Sequence, residues 1–189
     1  MKSSLQGEIK SIIYSDTTTG WTAARADIQG EKQLVVIVGT ILQPKVGDIL
    51  DLEGEWVNHP KYGKQFKFDA YVPVYPNTIN GITAYLGSGL IKGIGPELAK
   101  RIVKMFGNDT FEVIENRPDL LRKVSGIAEK RIGIISKAFK DQKEIRNVMV
   151  FLKGHGISTG YATKIYKKYG NDAIKLLTEN PYRLCEDIC

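Results

Sequence analysis

Three stretches of this sequence can be laid on one frame. GIGPELAKRIVKMFG begins at Gly93, GIAEKRIGIISKAFK at Gly126 and GISTGYATKIYKKYG at Gly156, at spacings of 33 and 30 residues. Each opens Gly-Ile-small and continues as a basic amphipathic segment, so the chain repeats one supersecondary unit. The connecting material repeats too. FGNDTFEVIENRPDLL, from Phe106, matches YGNDAIKLLTENPYRL, from Tyr169: aromatic-Gly-Asn-Asp, a short helix, then Asn, Pro and Leu. In this register the next Gly-Ile would start just beyond Cys189, and we therefore expect a fragment of a longer protein.

From Asn77 onward the apolar residues recur every three or four positions, as in TINGITAYL, LAKRIVKMF, FEVIENRPDLL and NVMVFL. That period predicts short helices. Asn77, Asn108 and Asn171 are placed as caps, and Pro96, Pro118 and Pro181 fit first-turn positions. Upstream the period is different. GEIKSIIYS, WTAARADI, KQLVVIVGTI, GDILDLEGEWV and KQFKFDAYVPV are short, rich in Val, Ile and aromatics, and separated by turn residues. The connections are too short for a crossover helix, so the sheet is expected to be mainly antiparallel. The fold class predicted is α+β: a small antiparallel barrel over residues 1–75, then an all-α repeat domain over 76–189, with the boundary near Pro73 and Pro76.

Charge divides along the same line. Residues 1–75 carry eight Lys/Arg against nine Asp/Glu, net −1; residues 76–189 carry nineteen against twelve, net +7. A basic excess confined to the helical part points to a polyanion partner there. A solvated basic helix surface would give the same count.

The Gly-Ile-Gly turn explains how an anion would be held. Glycine supplies positive φ or close backbone approach at low cost. Ile94 turns inward to anchor the turn, and Pro96 starts the next helix, where its missing N–H costs nothing. Bare N–H groups at a helix N-terminus, together with the dipole, attract phosphate. The candidate phosphate-binding residues are Gly93, Ile94, Gly95, Lys100 and Arg101 in the first copy. Gly126, Ala128, Lys130 and Arg131 correspond in the second, and Gly156, Ser158 and Lys164 in the third. A plain αα-hairpin capped by glycine is the alternative for any one copy; three in register in the basic half favour phosphate.

These repeats resemble the helix–hairpin–helix motif, hydrophobic-x-Gly-hydrophobic-Gly followed by a helix. The second copy departs from it at Ala128 and the third at Ser158, which ranks the first hairpin as the best phosphate binder. The resemblance implies contact with the DNA backbone and no base reading. A further resemblance covers nearly the whole chain: EWVNHPKYGKQF, YLGSGLIKGIGPELAKRIV, KEIRNVMVFLKGHGIS and NPYRLCEDI look like the N-terminal region of the single-polypeptide bacterial RecD-like helicases, superfamily 1 enzymes that unwind DNA 5′ to 3′. It implies an ATPase motor outside this chain, with ATP and Mg2+ as that motor's cofactors and none in the chain itself. It further implies a role in DNA repair and recombination in the cytoplasm. The implied partners are single-stranded or forked DNA, the motor domains and single-strand-binding protein. No Gly-x4-Gly-Lys-Ser/Thr occurs here, so the chain should not bind ATP through a P-loop and is expected to be non-catalytic alone.

The five-strand half resembles an OB-like barrel lacking its usual helix. In such barrels the loops joining strands one and two, and four and five, line the ligand groove. Here these are SDTTTGW, ending at Trp21, and VNHPKYGK, carrying His59, Lys61, Tyr62 and Lys64. Aromatics beside lysines suit stacking of single strands. Burial of Trp21 and Trp56 in the core, or contact with protein, are the competing readings.

Other chemistry is poorly supported. His59 and His155 read as loop residues, and with Cys185 and Cys189 they make no convincing zinc site. The cysteine pair has helical spacing and reads as a shared packing face. No apolar run approaches the roughly 20 residues a membrane span needs, and MKSSLQGEIK has no signal-peptide core. A DNA glycosylase also uses this hairpin, but Glu97 stands where the first copy would need its lysine; the second has Lys130 without a suitable aspartate after it. The remaining rival is a scaffold module whose hairpins pack only on each other or on the motor. Binding that weakens with salt separates the two.

Overall fold

A computed structural model describes residues 2–184; the Cys185/Cys189 pair lies outside the described residues. Five strands come first: β1 (Ser3–Ser15), β2 (Trp21–Ile28), β3 (Val35–Thr40), β4 (Ile49–His59) and β5 (Gly63–Pro73). They close into a barrel in the order β1-β2-β3-β5-β4. All pairings are antiparallel except β3 with β5, which meet in parallel at Ile37–Phe66 and Val38–Lys67 and complete the ring. Alternation drives this: in β2, Thr22, Ala24, Ala26 and Ile28 point inward while Trp21, Arg25 and Asp27 face water. Two register shifts break the alternation in β1, between Ile9 and Ser11 and between Ile12 and Tyr14. Such bulges bend a strand and re-aim its side chains.

The helices are α1 (Ile79–Gly87), α2 (Pro96–Phe106), α3 (Thr110–Asn116), α4 (Glu129–Gly154), α5 (Thr159–Tyr169) and α6 (Ala173–Glu179). Pro96 occupies the first turn of α2, and Pro118 opens a 3-10 segment, Pro118–Lys123. Pro181 falls in a turn. The caps differ from the expected asparagines. Thr78, not Asn77, caps α1, its Oγ1 accepting from the Gly81 N–H at 3.1 Å. Asn108 and Asn171 each sit inside a one-turn 3-10 segment, and the following aspartates, Asp109 and Asp172, take the cap positions of α3 and α6. The chain bends through the extra turn before the helix starts.

Compactness does not follow the expected division at residue 76. One unit contains the chain up to Lys45, Ile49–Pro73 and the chain from Glu144; the other contains Val46–Asp48 and Val74–Lys143. The reason is a shared core. Ile145, Val148, Met149 and Leu152 of α4, with Ala162 and Ile165 of α5 and Leu177 of α6, form one buried cluster with Ile9, Leu52, Phe66 and Tyr71 of the barrel. Burying each large aliphatic side chain contributes about 1.5–3 kcal/mol, so this part of the helical sequence is committed to the barrel. Polar ties follow the apolar ones. Arg146 Nε donates to the Pro73 carbonyl at 3.0 Å, Thr159 Oγ1 to the Asp69 carbonyl at 3.3 Å, and Lys153 pairs with Glu53 at 2.7 Å. The second unit holds the first two repeats around an aromatic knot of Tyr75, Tyr85, Phe111 and Phe139, with ring centroids 5.3–5.8 Å apart.

Candidate nucleic-acid interface

In the second unit the first two hairpins interlock. Gly93 and Gly126 both have positive φ, +94° and +92°, a conformation glycine adopts without a Cβ penalty. Ile94 and Ile127 turn inward and are buried, 4% and 7% exposed, so each turn is pinned to the core by its central residue. A Cβ on Gly93 would meet Ile134 and Ile135 of α4 at 3.4 Å, while one on Gly126 would meet the Arg101 guanidinium at 3.1 Å and Leu98 at 3.9 Å. Each turn therefore rests on the helix that follows the other.

Gly95 is different. Its φ is −98°, extended backbone that any residue adopts, and a Cβ there would meet nothing within 4 Å. Neither backbone strain nor internal packing calls for glycine at this position. It is the N-cap of α2, and no side chain caps that helix. First-turn N–H groups have no intrahelical partner, so the turn presents donors beside an open concavity. At the matching positions Ala128 and Ser158 carry the Cβ that Gly95 lacks.

The basic side chains are used in part by the fold. Arg101 Nη1 donates to the Ser125 carbonyl at 3.3 Å and Arg131 Nη1 to the Gly126 carbonyl at 2.9 Å, so both guanidinium groups converge on the second turn. Lys100 pairs with Glu97 at 3.2 Å, both well exposed. Lys130 is exposed on α4. Sequence reading placed Arg101 as a charge for the first turn; its neighbour in space is the second.

The third hairpin belongs to the barrel unit. Gly156 has φ +71° and Ser158 caps α5 without a side-chain hydrogen bond. Lys164 Nζ lies 5.4 Å from the Tyr161 ring. Thr159 and Lys167 of the same repeat bind barrel carbonyls, which fixes this copy to β5 and to the β1–β2 loop.

The barrel carries a groove of about 630 Å³ lined by Ile13, Tyr14, Trp21, Ala23, Arg25, Val36, Val38, His59, Tyr62 and Gln65. Trp21, His59 and Tyr62 thus meet there from two loops far apart in sequence. Lys61 Nζ stands 5.3 Å from the Tyr62 ring, whereas Lys64 lies over Trp56 at 4.2 Å and does not line the groove. Trp56 packs edge-on against Phe66 at 5.4 Å, as a core residue. Tyr14 and Arg25 were missed by sequence reading. The signal for Tyr14 was the run Ile12-Ile13-Tyr14, which breaks the strand alternation where the bulge falls.

Comparison with known proteins agrees with this arrangement. Residues 2–76 match the family described as the OB-fold domain of ATP-dependent DNA helicase YrrC, and residues 141–189 match the HHH domain of ATP-dependent RecD2 DNA helicase. The chain carries the N-terminal OB-fold and helix–hairpin–helix domains of a RecD-like helicase. A relative named ATP-dependent RecD2 DNA helicase, from Deinococcus radiodurans, is 28% identical over 174 residues, which cover 89% of this chain and 24% of that relative. The chain thus spans about a quarter of the relative's length. The two domain matches coincide with the two parts of the barrel unit, and the interlocked hairpins lie almost entirely between them. Among the described residues of this RecD-like chain, no group of three or more His, Cys, Asp or Glu is placed to hold a metal ion. No described helix is long and apolar enough to cross a membrane.

Proposed function

We propose that this chain is a sequence-independent DNA-backbone-binding module of an ATP-dependent RecD-like helicase, one that moves 5′ to 3′ and serves DNA repair and recombination in the cytoplasm. ATP and Mg2+ belong to the motor domains, which are the module's partners together with DNA and single-strand-binding protein. The observation that carries the DNA reading is Gly95. The protein's own packing leaves the space at that glycine open, beside uncapped helix N–H groups. A phosphate oxygen fits such a concavity, because backbone donors and the helix dipole both favour an anion there.

The test is a titration of the whole chain with forked and duplex DNA at two salt concentrations, comparing the unaltered protein with Gly95→Val and Lys100→Ala. Each lost phosphate contact lowers the salt slope by roughly 0.7–0.9, equally across DNA sequences. Unchanged affinity and slope in folded Gly95→Val would reject the hairpin as the clamp. A scaffold role is favoured for the third hairpin alone, because Thr159 and Lys167 already bind the barrel. Its Lys164→Ala variant is expected to bind DNA as the unaltered chain does.

A further inference from the structure

Backbone binding at the hairpins leaves the barrel groove unexplained. A phosphate site needs donors and cations, yet this groove is built of rings. Tyr14 is 55% exposed, Trp21 45% and Tyr62 61%, an unusual concentration of large aromatic surface left in water. Tyr14 and Trp21 lie 6.0 Å apart, and His59 stacks on Tyr62 at 4.8 Å.

The rings are held in place before any ligand arrives. Asp16 Oδ1 accepts from the N–H groups of Thr18 and Thr19 at 2.7 and 3.1 Å, and Thr19 Oγ1 accepts from the Trp21 N–H at 3.2 Å. Across the groove His59 Nδ1 accepts from the N–H groups of Lys61 and Tyr62 at 3.1 and 3.2 Å. Both loops are ordered by their own side chains, so little entropy is lost when a ligand stacks on them.

Charge and topology select the ligand. Arg25 lies in the groove wall and Lys61 sits beside Tyr62, while the lining contains no carboxylate. The strands beneath, β2 and β3, are hydrogen-bonded on both sides within the closed barrel, so no free edge exists there for a peptide to add as a strand. Exposed rings flanked by cations on a wall of apolar side chains suit bases and their phosphates.

We propose that this groove binds an unpaired DNA strand, with bases stacking on Trp21 and Tyr62 and phosphates facing Arg25 and Lys61. The inference goes beyond backbone clamping at the hairpins and uses none of the same residues.

The probe is oligothymidylate of about 12 nucleotides, within the span one such barrel covers, added to the whole chain while tryptophan emission and labelled-strand anisotropy are followed. Oligothymidylate is expected to quench Trp21. Trp21→Ala or Tyr62→Ala should weaken binding about 5- to 150-fold, the loss of one stacked base, while Trp21→Phe keeps most of the affinity. The quench must persist in Gly95→Val, which separates failure of the hairpin clamp from failure of the groove. Folded Trp21→Ala and Tyr62→Ala variants that bind oligothymidylate as the unaltered chain does would overturn the proposal. So would tighter binding of oligouridylate, or quenching only by a Glu-rich peptide ending in Phe, which would assign the groove to RNA or to a protein.

Discussion

Lys167 of α5 donates from Nζ to the carbonyl of Thr17, 150 residues earlier in the chain, at 2.6 Å, and also to the carbonyl of Thr18. A lysine that the repeat pattern places on the third hairpin helix thereby holds the loop that carries Trp21. The ammonium is exposed, so its net contribution to stability is small, about 0.5–1 kcal/mol. Its effect on loop order is larger. Lys167→Met should speed amide exchange at Gly20 and Trp21 while leaving the barrel core protected; unchanged exchange would show that Asp16 alone orders the loop.

Asp16 makes the same loop sensitive to acid. Hydrogen bonds from the Thr19 and Thr18 N–H groups, with Lys167 nearby, hold its carboxyl below the ordinary 3.8. A depressed folded-state pKa stabilises the loop above the unfolded value, and that stabilisation is lost as pH falls through the folded one. The loop should therefore be constant near neutrality and loosen only below about pH 3.9. The Thr18 and Thr19 amide shifts should titrate together in that acid range and stay flat in Asp16→Asn. A transition between pH 5 and 8 would contradict the assignment.

Gly93 and Gly95 should respond oppositely to alanine. At Gly93 the positive φ and the nearby Ile134 and Ile135 make a Cβ costly, on the order of 1–2 kcal/mol. At Gly95 the extended backbone and open space predict a change within about 0.5 kcal/mol. Urea melts give the stabilities, and DNA titration should show the reverse emphasis, with Gly95→Ala losing binding while folding normally.

Removing residues 76–189 should damage the barrel more than a boundary near Pro73 implies. The barrel residues Ile9, Leu52, Phe66 and Tyr71 share their core with Val148, Met149, Leu152 and Ile165, which such a truncation deletes. The 1–75 fragment is expected to melt well below the whole chain and to bind hydrophobic dyes. An equal melting temperature would restore the division at residue 76.

Local pattern settled much of this protein. Alternating residues such as Thr22, Ala24, Ala26 and Ile28 define strands because side-chain direction has period two. The Gly-Ile repeats define hairpins because Gly93 and Gly126 need positive φ and Ile94 and Ile127 need burial; these are properties of a few consecutive residues. The families these patterns resemble were legible for the same reason, as was the presence of Trp21, His59 and Tyr62 in loops. Tertiary structure alone decided which partners those residues found. Period 3.6 marks an apolar face on α4, α5 and α6 without saying what covers it, and the barrel, not the other repeats, covers the stretch from Ile145. The same limit applies to charge: Arg101 is cationic in any fold, but only the interlocking of two hairpins sends it to the Ser125 carbonyl. Gly95 shows the difference most sharply. Sequence reads it as one of two turn glycines, and only the packing around it shows that the turn itself has no need of glycine there.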